Sequence, residues 1–262
     1  MKARILFNAF IFILITLVSN IERSEGAVDK PWKNLTADEV FSGLPERSLA
    51  IAAEKGDADK IRKLISSGLN VNARGLHGLT PLDLAIFNES KKGVLTLLEA
   101  GANPNLYSDD GSAPIHSACY LTKDVYFLKQ MLVHGGDANL VRILDKGASD
   151  KIGVFPLHDV MRANNNALEK VKILMDHGAD LNKSGGYGFL PIESAVNSRQ
   201  YDVILWLLEN EDRFHTLTRH GKILAESIKL DLNMRASVFF ERKEIADREK
   251  VIEVLKKHGL WN

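Results

Sequence analysis

The sequence predicts an all-α repeat fold, a solenoid of stacked helix-turn-helix units with hairpin loops between them. Two motifs recur along it in fixed phase. One is a helix start led by proline, which occurs at Pro81, Pro114, Pro156 and Pro191. The other is a unit ending led by glycine, which occurs at Gly68, Gly101, Gly135 and Gly178. Because both return at a spacing near 33 residues, as from Pro81 to Pro114, they indicate repeats that stack on their neighbours.

The unit that begins at Thr80 shows why a helix pair is expected. Thr80 suits the N-cap position, and Pro81 suits the first helical position because its φ is already helical and its missing N–H has no helical partner. Apolar residues recur at helical spacing on both sides of the polar segment 88–92. Gly101 suits the left-handed position that closes the second helix. Each unit is therefore predicted to contain a helix, a tight turn, a second helix and an extended loop.

These motifs resemble those of the ankyrin repeat. The segments Pro114-Ile115-His116-Ser117-Ala118 and His177-Gly178-Ala179-Asp180-Leu181-Asn182 approximate the T-P-L-H-x-A start and the G-A-D-x-N ending of that family. The resemblance extends over residues 44–262 and implies an ankyrin-repeat α-solenoid. It also implies a protein-binding scaffold, although the fold does not name the partner because binding sites are particular to each array.

The repeat phase sets the expected domain boundaries. A signal peptide is expected at residues 1–26 and an N-terminal capping segment at 27–46, with Trp32, Val40, Phe41 and Leu44 as its apolar anchors. Five repeats are expected at residues 47–74, 75–107, 108–149, 150–182 and 183–213. An enlarged C-terminal capping repeat is expected at 214–262, with a helix over 217–230. Its insertion at 231–247 either covers the apolar face of the last repeat or contributes to binding.

The N-terminal segment has the pattern of a secretory leader. Lys2 and Arg4 precede an apolar run at residues 5–18, and small residues follow at Ser24 and Gly26. A run of this length is short for a membrane span, so we expect a leader that is cleaved after Gly26, with an uncleaved anchor as the alternative. The mature protein is then periplasmic or secreted, without stable membrane insertion, and the style of the leader points to a bacterial source.

One loop is longer than the others. The interval from Pro114 to Pro156 is 42 residues instead of about 33, and the unit ending at Gly135 places the extra residues at 140–152. Insertions in such arrays map to loops on one edge. This loop mixes charged and apolar residues, so it either contacts another protein or is a solvated loop.

Composition and motif spacing indicate no cofactor, no metal site and no enzyme. Lysine plus arginine equals aspartate plus glutamate, so the net charge of zero gives no reason to expect nucleic acid or an anionic membrane as a partner. Five of the eight histidines fall on structural positions of the repeat. Among these, the family resemblance implies that the rings of His116 and His158 form hydrogen bonds within and between repeats. The other three histidines lack the spacing of a zinc site. Cys119 falls on a buried helix position, and Asp83 and Glu193 lie more than a repeat apart. The glycine-rich segment 185–188 lacks the lysine and hydroxyl of a phosphate loop.

The candidate binding surface consists of the hairpin tips and the exposed ends of the first helices. Repeat phase maps it to Leu76, His77, Leu79, Phe87, Asn88, Asp109, Asp110, Tyr120, Lys151, Ile152, Arg162, Tyr187, Phe189 and Asn197. Four of these are aromatic, and interface centres are enriched in aromatic residues and arginine. The alternative for any one aromatic is that it packs under the hairpin of an adjacent repeat.

Three functions are compatible with an exported, monomeric array. The first is a module that sequesters or inhibits one protein, in its most specific form an immunity protein that neutralises an antibacterial secreted effector or toxin. The second is a periplasmic scaffold or stress-protection protein that supports another enzyme. The third is a secreted effector that captures a host protein.

Overall fold

The computed structural model describes residues 34–144, 152–163, 166–185, 188–210, 215–234 and 242–261. Contacts divide the chain into two units, Met1–Thr36 and Ala37–Asn262, and the described helices lie in the second. The expected leader, Trp32, Lys151 and Tyr187 lie outside the described residues. None of the helices in the described ranges is long and apolar enough to cross a membrane.

Thirteen α-helices, one 3₁₀ helix (Leu76–Gly78) and one two-stranded ribbon make up the described part of the array. The helices are α1 (Ala37–Val40), α2 (Leu44–Lys55), α3 (Ala58–Ser66), α4 (Pro81–Phe87), α5 (Lys91–Glu99), α6 (Pro114–Tyr120), α7 (Val125–Val133), α8 (Pro156–Ala163), α9 (Ala167–Asp176), α10 (Pro191–Asn197), α11 (Tyr201–Glu209), α12 (Thr216–Met234) and α13 (Arg242–Lys257). The strands are β1 (Arg142–Leu144) and β2 (Ile152–Val154). Helices α2, α4, α6, α8 and α10 are the first helices of successive pairs and stack on one another. The predicted all-α repeat solenoid is confirmed.

The first helices begin with caps that the proline motif encodes. Thr80 Oγ1 accepts a hydrogen bond from the Asp83 N–H at 3.3 Å, and Asp83 Oδ2 accepts one from the Thr80 N–H at 2.9 Å. At the same position of later repeats, His116 Nδ1 accepts from the Ala113 N–H at 3.1 Å, and Glu193 Oε2 accepts from the Leu190 N–H at 2.8 Å. The third helical residue therefore satisfies a backbone donor at the helix start, whether it is a carboxylate or a histidine.

A continuous apolar core runs along the array. The start position of the first repeat is Ser48, where the later repeats have proline. The residue after the start position is fully or almost fully buried in each of the five first helices: Leu49, Leu82, Ile115, Leu157 and Ile192. Leu97 and Leu174 in the second helices are completely buried as well. The core forms between neighbouring repeats as well as within each helix pair, which is how a solenoid buries its apolar surface.

Asparagine side chains tie the unit endings together. The Asn72 side chain accepts from the Asn103 N–H at 2.8 Å and donates to the Gly101 carbonyl at 3.3 Å. The Asn105 side chain accepts from the Asp137 N–H at 2.9 Å and donates to the Gly135 carbonyl at 2.8 Å. Asn139 repeats the pattern with the Asp180 N–H and the Gly178 carbonyl. This ladder satisfies loop backbone groups and fixes the loops relative to one another.

The two ends of the array are covered. Val40 and Phe41 are each 3% exposed, as predicted for N-terminal anchors, whereas Leu44 is 73% exposed. The expectation for Leu44 was wrong because it begins α2 on the solvent side of that helix. At the other end, α12 packs on α10 and α13 packs on α11, with Leu224, Val251 and Leu255 completely buried. The helix expected over 217–230 is longer at both ends, since α12 spans Thr216–Met234.

Candidate protein-binding surface

The loops that join the repeats form a linked row, which we call the hairpin row: residues 74–78, 107–112, the described part of the inserted loop at 140–144 and 152–154, and residues 183–185 with 188–189. The first two loops are joined by three contacts. Arg74 donates to the Tyr107 carbonyl at 2.5 Å and pairs with the Asp109 carboxylate at 3.2 Å. The Asp109 N–H donates to the His77 carbonyl at 2.9 Å. These loops are thus held to each other as well as to their own helices.

The second and third loops are joined through side chains that reach backbone carbonyls. The Tyr107 hydroxyl donates to the Val141 carbonyl at 2.8 Å. His116 Nε2 lies 3.0 Å from the Leu140 carbonyl. Because Nδ1 of the same ring accepts from the Ala113 N–H, the proton lies on Nε2, which donates to Leu140. The expected role of His116, a hydrogen bond within and between repeats, is confirmed.

The inserted loop begins and ends as an antiparallel ribbon. Strand β1 pairs with β2 in the register Arg142↔Val154, Ile143↔Gly153 and Leu144↔Ile152. Arg142 Nη2 lies 3.0 Å from Asp159 Oδ1 on α8, and the Asp159 side chain is completely buried. This ion pair holds the base of the ribbon against α8. The sequence located the insertion but did not predict its two strands.

The third and fourth loops are joined at His158. Its Nε2 lies 3.1 Å from the Phe189 carbonyl, which also accepts from the Gly185 N–H at 2.8 Å. Burial lowers the pKa of His158, so the ring is neutral and Nε2 donates. A Cβ on Gly185 would lie 2.6 Å from Nε2, so this contact requires glycine. The ring of Phe155 lies 5.4 Å from the Lys183 ammonium across the same junction.

The ends of the first helices supply the second part of the surface. The sixth residue after each start position lies there, which places Glu54, Phe87, Tyr120, Arg162 and Asn197 in equivalent positions. Tyr120 is half-buried, and the exposed Arg162 guanidinium lies 6.0 Å from its ring centroid. Asn88 is exposed and donates to the Leu84 carbonyl at 2.9 Å. Asn197 is half-buried, and its Oδ1 has no hydrogen-bond partner among the described residues.

Two of the residues assigned to the surface are buried. Leu79 is 1% exposed because it lies at the base of its hairpin, immediately before the Thr80 cap. Phe87 is 8% exposed because it is the last residue of α4, which packs between α2 and α6. The expectation that these two side chains are presented to a partner was wrong. For Phe87 the alternative, packing under neighbouring repeats, is the structure observed.

The other assigned residues that the structure describes differ in exposure. Leu76 is 51% exposed, Asp109 is exposed, and His77, Asp110 and Phe189 are half-buried. Ile152 contributes its backbone to β2. The sequence missed Tyr107, which is 38% exposed on the loop next to Leu76. Tyr107 could have been predicted as a surface residue because it is an aromatic residue at the hairpin tip, 33 residues after Arg74 in the preceding hairpin.

The chemical groups considered from the sequence have structural roles. Burial raises the pKa of the Cys119 thiol, so the reactive thiolate is disfavoured. Asp83 and Glu193 are helix caps. His134 and His177 each bond a carbonyl of the preceding turn, to Gln130 at 2.9 Å and to Ile173 at 2.8 Å. Within the described ranges, histidine, cysteine and carboxylate side chains form no group that fits a metal ion.

Comparison with known proteins gives the family. A family model described as ankyrin repeats (3 copies) matches residues 33–108 and 115–217, which is more than half of the chain. This chain is an ankyrin repeat protein. Ankyrin repeats are protein-interaction modules, and this array is accordingly a protein-binding module.

Relatives from very different organisms match through the repeats. The chain is 25% identical over 205 residues to the putative ankyrin repeat protein YahD of Escherichia coli, a match that covers 67% of this chain and 96% of YahD. It is 28% identical over 165 residues to the tyrosine-protein kinase HTK16 of Hydra vulgaris, covering 62% of this chain. It is 30% identical over 130 residues to the putative ankyrin repeat protein FPV031 of fowlpox virus, covering 49% of this chain. The chain spans 20% of the kinase and 36% of the viral protein.

Proposed function

We propose that this ankyrin array is exported and binds one protein partner through the hairpin row and the adjacent ends of the first helices, so that the partner is sequestered or inhibited. In its most specific form, the proposal is an immunity protein that neutralises an antibacterial secreted effector. The observation that carries the binding surface is the pair Leu76 and Tyr107, two exposed apolar side chains on adjacent, cross-linked loops.

This pair has the properties of an interface centre. Large side chains exposed on a rigid surface bind with a small loss of conformational entropy, since the loops are already ordered. Arg74 and Asp109 are charged residues of the same two loops, and both are held by hydrogen bonds before any partner arrives. An apolar centre with a polar rim is the usual arrangement of residues that dominate binding energy.

Export is supported by the sequence of the leader. The basic residues Lys2 and Arg4, the apolar run at 5–18 and the small residues before Ala27 have the order of a secretory signal. A periplasmic or secreted array would meet effectors delivered by neighbouring cells, and this compartment motivates the immunity proposal.

Affinity capture tests the proposal. Residues 27–262 serve as bait against a periplasmic fraction and the products of neighbouring genes, alongside Leu76→Ser, Tyr107→Ser and Val133→Ser variants. Val133 is 61% exposed at the end of a second helix, outside the hairpin row, so it is a matched apolar control. We expect one protein with a toxic enzymatic domain, retained by the control and lost from the two hairpin variants.

The outcome separates the three functions. Protection of growth when the array is co-produced with the captured enzyme supports immunity. Capture of a detoxifying enzyme whose activity is undiminished identifies a scaffold, and capture of a host protein identifies a secreted effector. Equal retention by all variants contradicts the placement of the surface.

A further inference from the structure

Lys170 is a buried lysine in the middle of the array. It lies on α9, the second helix of its pair, and it is 0% exposed. Its Nζ donates to three backbone carbonyls, those of Ala118 at 3.2 Å, Cys119 at 2.7 Å and Thr122 at 2.6 Å. All three acceptors belong to the end of α6, the first helix of the preceding pair, and to the turn that follows it.

The repeat explains why this position faces that helix end. Lys170 is the eighth residue before its unit-ending glycine, and Gly93 occupies the same place in an earlier repeat. A Cβ on Gly93 would lie 2.0 Å from the Ala53 carbonyl oxygen, at the end of the preceding first helix. The repeat that contains Gly93 therefore brings its backbone against the end of the preceding first helix. The repeat that contains Lys170 instead inserts a long cationic side chain at the equivalent place.

The Lys170 ammonium group donates to carbonyl groups at a helix end, where the helix itself supplies no N–H partner. The last carbonyls of an α-helix have no helical partner, and the C-terminal end carries partial negative charge. Three N–H donors meet three carbonyls, whereas a neutral amine would provide only two donors. Burial lowers the pKa of Lys170, and the titratable groups Cys119 and Glu89 act in the opposite direction. Asp159 lies near Cys119 on the next first helix.

The turn that Lys170 holds belongs to the candidate binding surface. We call residues 120–124 the rim. Asn166 donates to the Lys123 carbonyl at 2.8 Å, and Lys91 pairs with the Asp124 carboxylate at 2.5 Å. Thr122 Oγ1 donates to the Ala118 carbonyl at 2.8 Å. The Lys91 and Asp124 side chains are 56% and 38% exposed, whereas Lys170 is completely buried. Solvent and salt therefore weaken the contacts of Lys170 less than they weaken the Lys91–Asp124 ion pair.

We propose that Lys170 is a positioning residue for partner binding: its buried ammonium fixes the rim, and with it the orientation of Tyr120 on the surface that meets the partner. The role in binding rests on the proposed function. The role in fixing the rim rests on the geometry of the protein alone, so the two parts can fail separately.

The first test is amide hydrogen exchange in Lys170→Met, with Lys172→Met as the control. Methionine keeps an apolar stem of similar length without the ammonium, and Lys172 is a partly exposed lysine on the same helix. Loss of hydrogen bonds to a charged donor is expected to accelerate exchange in the rim about tenfold or more, with little change in the outer helices. Unchanged exchange in the rim, or the same acceleration throughout the array, would overturn the proposal.

The second test uses the wild-type chain and does not depend on a variant that folds. Nuclear magnetic resonance follows Lys170 Nζ and the rim amides from pH 7 to about 11, a range that includes the ordinary pKa of lysine. Loss of the Lys170 proton below the ordinary value of 10.5 is expected to shift the rim amides with the same midpoint. Rim amides that do not respond to this titration would refute the positioning role.

The third test addresses binding. The protein captured by the wild-type array is titrated into Lys170→Met and Lys172→Met. We expect the Lys170 variant to bind at least about tenfold more weakly per folded molecule, because a mobile rim loses entropy on binding. Equal affinity, together with a loosened rim, would remove Lys170 from the binding role.

Discussion

Phe87 tests whether a residue that the sequence assigned to the binding surface instead stabilises the fold. The sequence assigned it to the binding surface, but its side chain is 8% exposed at the end of a first helix that packs between two others. Replacing a buried phenylalanine by alanine costs about 3–5 kcal/mol through lost transfer energy and the cavity that remains. Because Phe87 lies at the edge of the core and not at its centre, we expect Phe87→Ala to cost about 3 kcal/mol, near the lower end of that range.

Urea unfolding, monitored by circular dichroism, measures this cost. At about 1.4 kcal/mol for each factor of ten, a loss of 3 kcal/mol raises the unfolding equilibrium constant roughly 150-fold. Asn88→Ala is the matched control, since the next residue is exposed and its substitution removes one hydrogen bond, to the Leu84 carbonyl, worth about 0.5–1.5 kcal/mol. An unchanged midpoint for Phe87→Ala, combined with lost partner affinity, would refute the reasoning and return Phe87 to the binding surface.

Two further substitutions test the packing and the electrostatics of the array. Helix propensity alone favours Gly93→Ala by about 1 kcal/mol, but the new Cβ would lie 2.0 Å from the Ala53 carbonyl oxygen, so we expect a net loss of about 1–3 kcal/mol in urea unfolding. A stability equal to that of the wild type would show that α2 and α5 pack less closely than described. Burial raises the pKa of the Glu193 carboxyl group above its usual 4.5. At a pH between the unfolded-state pKa and this raised pKa, the folded state binds a proton that the unfolded state has lost. The free energy of unfolding therefore falls as the pH rises through that interval. Glu193→Gln keeps an acceptor for the Leu190 N–H, and we expect the wild type to lose stability relative to this variant between pH 4 and pH 7. Parallel stability curves for the two proteins would contradict the raised pKa.

The sequence predicted the parts of the fold that each repeat encodes locally. The proline start, the closing glycine and the apolar spacing specify helix ends and buried faces within about 33 residues, as the interval from Pro81 to Pro114 shows. The same local logic placed His116 and His158 in hydrogen bonds between repeats.

The candidate surface was less predictable because exposure depends on neighbouring repeats. Phe87 and Tyr120 are equivalent in phase, but the first is buried and the second is half-buried. Tyr107 and Lys170 were missed for the same reason. Repeat position alone does not show that a tyrosine reaches the Val141 carbonyl or that a lysine enters the core of the preceding repeat.

The measurement that tests the central claim most directly is the affinity of the captured protein for Leu76→Ala and Tyr107→Ala, determined by calorimetry beside the Val133→Ala control. Leu76 and Tyr107 are exposed, so folding should be retained, which urea unfolding checks in parallel. If these side chains are the centre of the interface, each variant loses about 2 kcal/mol or more of binding free energy, a roughly 30-fold weaker affinity. Wild-type affinity in both hairpin variants would show that the partner binds elsewhere on the array.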